Sequence, residues 1–227
     1  MTAPSIGRLH AAILEGILRS GRAPDARSLA RRLRITRRDF ESGLRDLETV
    51  HGLVLHPDRR SIWIAHPFAL APSCVWVAGP ERGWWAPCTW CGLGVAVLAG
   101  GEADLHLRLG GEAEPFVLRV RGGAVVDNAV VHFPFPPRDA WTNVVHWCSA
   151  VQPFRSEEEV DGWCRRHGLP RGEVVPVGTV QALAECWYGG YLRPDWHRWT
   201  IPEARAILEE VGLSGPFWDL PRTEGTL

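Results

Sequence analysis

The chain has 227 residues, of which 45% are hydrophobic and 22% charged, an ordinary globular balance that argues against long disordered segments. Its formal charge of -1 conceals an asymmetry, because residues 1–66 carry 12 Arg against 7 acidic residues, so any nucleic-acid contact would come from this part. All 25 basic residues are Arg, which excludes Schiff-base chemistry by lysine. The sequence shows no long apolar stretch and no signal-peptide pattern, which predicts a cytoplasmic protein without membrane contact.

The beginning of the chain predicts three helices. Apolar residues recur at helical spacing over 9–18, and Gly21 is expected to end this first helix. A shorter helix is expected at 28–33, and a third one is marked by apolar residues over 40–47. Acidic residues are interspersed on the third helix and would repel a phosphate backbone, so we expect DNA binding to be weak or absent despite the local excess of Arg.

A hairpin and a shift in composition follow the third helix. β-prone runs at 53–56 and 61–65 are joined by 57–60, whose Pro, Asp and two Arg are typical of a turn or wing. Three helices and a wing predict a winged-helix-like module over 1–68. Eleven of the twelve Trp lie beyond it and Gly and Pro become frequent, so we place a second domain at 69–227.

The second domain mixes strands with helices. Alternating or continuous apolar runs predict its strands, and helical spacing together with a capping box formed by Ser156 and Glu159 predicts its helices. The strands are expected at 74–78, 105–109, 116–121 and 130–133, and the helices at 88–98, after Ser156, at 180–192 and at 202–211. The whole pattern predicts an α+β fold, with a mixed sheet-and-helix domain after the N-terminal module.

The strongest chemical signal is the motif Cys88-Thr89-Trp90-Cys91. In a cytoplasmic protein such cysteines are free thiols, metal ligands or reactive groups rather than parts of a disulfide framework. A single Cys-x-x-Cys pair is compatible with zinc binding, with a redox disulfide and with capture of a soft metal. The exposed N–H groups of a helix that begins at Cys88 would favour its thiolate, which makes it the candidate nucleophile. The alternative is that both cysteines are small buried apolar residues.

The cysteine segments resemble those of the organomercurial (alkylmercury) lyase family. Segment 88–100 is similar, without a gap, to the family's Cys-x-x-Asp motif at the start of a buried helix, and Cys88 matches the first family cysteine. Cys148, followed by Phe154-Arg155-Ser156 and Trp163, matches the second, which the resemblance places on a strand. The resemblance also implies a winged-helix-like module packed against the catalytic domain.

One residue departs from the family pattern, because Cys91 occupies the position of the Asp. In the family two thiolates hold mercury while the carboxyl group relays the proton that replaces mercury on carbon. A thiol with a pKa of about 8.5 is a weaker acid than a carboxyl near 3.9 by about 4.6 units, or roughly 6 kcal/mol. Thiols bind soft metals more strongly, so Cys91 is expected to act as a third metal ligand that retains the product.

The resemblance implies an alkylmercury-lyase-like enzyme in which Cys88, Cys91 and Cys148 are both the catalytic residues and the metal ligands. No cofactor is implied, with Hg(II) or another soft metal as substrate or product, and the partner would be a small organometal or other soft electrophile. The alternative function is a thiol-based metal sensor or sequestering protein with the same three ligands. A thioredoxin-like redox role is less compatible, because the expected βαβ frame is missing.

Two histidines near Cys148 are candidates for further ligands or proton donors. His132 and His146 lie close to it in the predicted elements, but a single His beside a strand is more often a hydrogen-bonded structural residue. The remaining cysteines match no functional position of the family and are expected to be buried structural residues; they are Cys74, Cys164 and Cys186.

Overall fold

The computed structural model describes residues 5–140 and 143–220. Helices α1 (Ile6–Ser20), α2 (Ala26–Leu33) and α3 (Arg37–Thr49) form in the predicted order. Gly21 takes the left-handed conformation that ends α1, and Thr36 forms a capping box with Asp39 at the start of α3. These local signals, together with apolar residues at helical spacing, explain why the first three helices were predictable.

The predicted hairpin is present and forms one edge of a larger sheet. Strand β1 (Val54–Leu55) pairs antiparallel with β2 (Ile62–Ala65), and β2 pairs with β3 (Phe68–Ala69). The Asp58 carboxylate accepts the N–H groups of Arg60 and Ser61, both at 2.8 Å, which stabilises the turn. The order of three helices and a hairpin is the one expected of a winged helix, and that assignment stays a prediction.

The main sheet has eight strands and is antiparallel throughout, in the order β1-β2-β3-β5-β4-β6-β7-β8. Its further strands are β4 (Val75–Ala78), β5 (Gly83–Ala86), β6 (Ala103–Arg108), β7 (Pro115–Arg121) and β8 (Ala124–Val125). The boundary predicted between 68 and 69 therefore falls inside β3 of one hydrogen-bonded sheet. One apolar core likewise includes residues from α1 to the end of the described chain.

A second antiparallel sheet has three strands in the order β10-β9-β11. They are β9 (Val130–Phe133), β10 (Gln152–Phe154) and β11 (Glu173–Pro176). Helix α6 (Glu157–His167) follows β10, and the Ser156 hydroxyl accepts the Glu159 N–H as predicted. The other half of the capping box is wrong, because the Glu159 carboxylate accepts the N–H of Arg155 instead.

Helices cover the face of the main sheet on which the Cys88-Thr89-Trp90-Cys91 motif lies. Helix α4 (Thr89–Leu98) is buried on nearly all sides and packs on α7 (Val177–Tyr188), which also contacts α8 (Ile201–Glu210). The predicted α+β class is confirmed. Among residues 5–140 and 143–220, no helix is long and apolar enough to cross a membrane.

The close approach of α4 to α7 depends on Gly94. A Cβ at this position would overlap the ring of Tyr188, whereas a Cβ at Gly178 in α7 would meet nothing within 4 Å. Replacing Gly94 with Ala is expected to lower the free energy of unfolding by about 1–3 kcal/mol, because a packed interface has to shift. Gly178→Ala, the control, should be neutral or slightly stabilising. Urea denaturation of both variants measures the difference, and equal stabilities would contradict this role of Gly94.

Candidate active site

The first turn of α4 positions two of the three predicted cysteines. Cys88 is the N-cap residue of α4, and its Sγ accepts the backbone N–H of Cys91 at 3.3 Å. Because Cys91 lies three residues further along the helix, both thiols are on the same side of the first turn. Both are fully buried, at 0% and 1% exposure. The predicted placement of Cys88 at the start of a buried helix is therefore confirmed.

The third cysteine reaches the same place from another element. Cys148 lies in the short helix α5 (Val144–Ala150), so the expectation that it lies on a strand is wrong. Asn143 caps α5 by accepting the N–H of His146 at 3.0 Å, which fixes the helical conformation. The Thr89 hydroxyl donates to the carbonyl of Val151 at 3.4 Å and so joins the start of α4 to the end of α5.

The thiols of Cys88, Cys91 and Cys148 form one cluster, close enough together that each shifts the pKa of the other two. The structure thus brings together all three cysteines that the sequence singled out. Their roles as catalytic groups and metal ligands stay a prediction.

Two residues at the cluster were not predicted from the sequence. The hydroxyl of Tyr188, at the end of α7, lies 3.4 Å from Cys91 Sγ. His66, directly after β2, has its Nε2 4.0 Å from Cys148 Sγ. The ligand atoms of His66, Cys91 and Cys148 all lie within 4.8 Å of one another, a spacing that can hold a metal ion.

A small cavity of about 40 Å³ opens beside the cluster. Cys91 and Cys148 line it, while the fully buried Cys88 is not among its lining residues in the described chain. Most of the wall is apolar and aromatic, with contributions from Trp90, Trp147, Trp187, Tyr188, Tyr191 and Trp218. A small molecule that enters this cavity would therefore meet Cys91 and Cys148 first, in surroundings that suit an organic group.

Interactions within the cluster shift the pKa values of the three thiols in different directions. Burial disfavours every thiolate, but hydrogen bonds with Cys148, Cys88 and Tyr188 hold the pKa of Cys91 well below its usual value. Burial raises the pKa of Cys88, and its hydrogen bond with Cys91 raises it further. Hydrogen bonds with Cys88 and Cys91 raise the pKa of Cys148. These directions make Cys91 the most acidic of the three thiols, and the expected lowering at Cys88 is wrong.

Three further polar residues, His66, Tyr188 and Arg198, line the cavity beside the cluster. Burial, followed by the nearby charge of Arg198, lowers the pKa of His66 to about 4, so the imidazole is neutral at pH 7. Arg198 is itself buried, donates to the hydroxyl of Tyr191 at 3.3 Å, and lies over the ring of Trp187 at 5.7 Å. Burial raises the pKa of Tyr188 well above its usual value, so its hydroxyl stays protonated beside Cys91.

The other cysteines and histidines named from the sequence lie outside this cluster. Cys164 is buried as expected and lies 3.8 Å from Nε2 of His132, but the expectation is wrong for Cys74, which is exposed, and for Cys186, which is half-buried. His146 lies against the ring of Phe135 at 5.6 Å, on α5.

Comparison with known proteins found a protein family and a similar solved structure. A family model described as "MerB: Alkylmercury lyase" matches residues 68–189, more than half of the chain. Among solved structures, the one titled "Crystal structure of the mercury-bound form of MerB2" is similar with a TM-score of 0.64 and 20% sequence identity, covering 85% of this chain and 91% of that one. No curated protein sequence matches.

Proposed function

Because the chain belongs to the alkylmercury lyase family, we propose that it captures an organomercurial or related soft electrophile at its thiol cluster and promotes protonolytic cleavage of the carbon-metal bond. The observation that carries the proposal is the cluster of three neighbouring, buried thiols beside an aromatic cavity. Thiolates are the soft ligands that mercury prefers. The catalytic and metal-binding residues of the proposal are Cys88, Cys91 and Cys148.

Capture begins at the cavity wall. Cys91 is the most acidic thiol of the cluster and lines the cavity together with Cys148, so one of these two forms, as a thiolate, the first mercury-sulfur bond with the incoming R–Hg⁺. A second thiol of the cluster then binds the same mercury atom. Cys88 lies close enough to both other thiols to shift their pKa values and can complete the coordination from the side of the helix.

Cleavage follows from the proton that the second thiol carries. As its sulfur binds mercury, its proton passes to the carbon, the carbon-mercury bond breaks and the hydrocarbon R–H leaves. The product is Hg(II) held by two thiolates, so atoms and charge balance without an oxidant, a reductant or a further cofactor. The hydroxyl of Tyr188, 3.4 Å from Cys91 Sγ, stabilises the thiolate until mercury arrives.

Hydrocarbon release from the reduced protein tests the proposal. Anaerobic incubation with methylmercury and with phenylmercury should release methane or benzene in an amount at least equal to that of the protein, measured by gas chromatography. Protein unfolded in urea, which keeps its thiols but loses the cluster, is the control and should bind mercury without release. A one-to-one complex of the folded protein with either intact organomercurial, and no hydrocarbon, would instead support the alternative of a sequestering protein.

A further inference from the structure

We propose that His66, Cys91 and Cys148 form a mixed nitrogen-sulfur site that binds a borderline divalent metal ion of the Zn(II) class. The three ligand atoms come from the residue that follows β2, from α4 and from α5, and they lie within 4.8 Å of one another, with 4.0 Å between His66 Nε2 and Cys148 Sγ. Ligands on one tetrahedral Zn(II) lie about 3.5–3.8 Å apart, given bonds of about 2.3 Å to sulfur and 2.0 Å to nitrogen. The distances between the three ligand atoms therefore need to shorten by at most about 1.3 Å.

The imidazole of His66 makes the site better suited to a borderline metal ion than to a soft one. Hg(II) and Cu(I) are soft and are satisfied by thiolates alone, which this cluster supplies without His66. Zn(II) accepts imidazole and thiolate together at similar bond lengths, and sites with two Cys and one His are common for it. A buried histidine that faces two thiols at ligand distance has no such use in the capture of mercury.

A fourth position is available on the cavity side. His66, Cys91 and Cys148 all line the cavity of about 40 Å³, and a bound water needs only about 15 Å³. Three protein ligands and one open position are the arrangement of zinc sites that accept an exogenous ligand. Cys88 contacts Cys91 from the other side, where its sulfur accepts the Cys91 N–H at 3.3 Å. Cys88 therefore serves as a partner outside the first coordination shell that orients the ligand Cys91.

Zinc binding goes beyond the proposed function and does not depend on it. The ion displaces the protons of the two thiols to solvent, and no carbon-metal bond is involved. A protein that binds zinc and releases no hydrocarbon would contradict only the proposed function. A protein that releases hydrocarbon and does not bind zinc would contradict only the metal site.

Titration of the reduced, chelator-treated full chain with Zn(II) and Co(II) tests the site. One ion should bind per chain, and Co(II) should show tetrahedral visible bands together with a thiolate charge-transfer band. In competition with a chromophoric chelator, His66→Gln should weaken Zn(II) binding at least about 100-fold, since loss of even an outer partner costs about 10–100-fold. His132→Gln removes another imidazole near a thiol, 3.8 Å from Cys164, and should leave the affinity unchanged.

X-ray absorption at the zinc edge of the unaltered protein identifies the atoms bound to zinc, even if His66→Gln does not fold. The expected first shell contains two sulfurs at about 2.3 Å and lighter ligands at about 2.0 Å, with the outer-shell signal of one imidazole ring. A shell of sulfur only would overturn the proposal. So would failure to bind one Zn(II) per chain, or a folded His66→Gln variant whose affinity is within threefold of the unaltered protein.

Discussion

Replacing Cys148 with Ser is expected to reduce hydrocarbon release from an organomercurial at least about a thousandfold. Under the proposed function Cys148 supplies one of the two sulfurs that hold mercury, and it lines the cavity that the substrate enters. A serine hydroxyl is a hard, neutral ligand at pH 7 and does not replace a thiolate on mercury. Removing one member of a group that acts as a unit commonly costs a factor of about 10⁴ or more.

Cys164→Ser provides a matched control for this experiment. Cys164 is buried to a similar degree, 7% against 3% exposure for Cys148, but its thiol lies beside His132 outside the cluster. Both variants put a hydroxyl into a buried position, so a general loss of stability would affect them alike. Single-turnover release of methane or benzene is the measurement. More than a tenth of the original rate in Cys148→Ser would contradict the assignment of this thiol.

Replacing Cys91 with Asp is expected to raise the rate of hydrocarbon release by roughly 10- to 100-fold. The resemblance places a carboxyl group at this position, and a general acid close to the developing carbanion contributes about 10²–10⁴-fold. The position is fully buried beside the hydroxyl of Tyr188, so burial should raise the pKa of the new carboxyl group and keep it protonated. The gain should therefore shrink as the pH is raised through that pKa.

The Cys91→Ser variant distinguishes the effect of losing the thiol from the effect of gaining a carboxylic acid. It should weaken retention of Hg(II), as Cys91→Asp should, because both variants remove a soft ligand. It should not accelerate release, because a hydroxyl is not an acid at neutral pH. If Cys91→Asp left the rate unchanged or lower while Cys91→Ser abolished it, the Cys91 thiol would be required in a way that a carboxyl group cannot replace, and the expected gain from Cys91→Asp would be wrong. Mercury retention is measured by competition with a small dithiol.

Structure that depends on neighbouring residues was predictable from the sequence. The left-handed Gly21 and the capping box of Thr36 mark helix ends through contacts three or four residues away. The apolar run after Cys88 likewise predicted a buried helix with Cys91 one turn further on. The short run around Cys148 was not decided by pattern, because β-branched and apolar residues over 144–150 suit a strand as well as a helix.

The composition of the cluster depends on contacts between distant parts of the chain. His66 is 82 positions from Cys148 and Tyr188 is 97 from Cys91, and neither has a neighbour that marks it as part of a site. The sequence by itself placed Cys88 and Cys91 on one helical turn and, through the resemblance, associated them with Cys148. Only the tertiary structure decided which thiol is the most acidic and which histidine nitrogen faces the sulfurs. Both depend on burial and on hydrogen bonds, and these exist only when the main sheet has packed together with α4, α5 and α7.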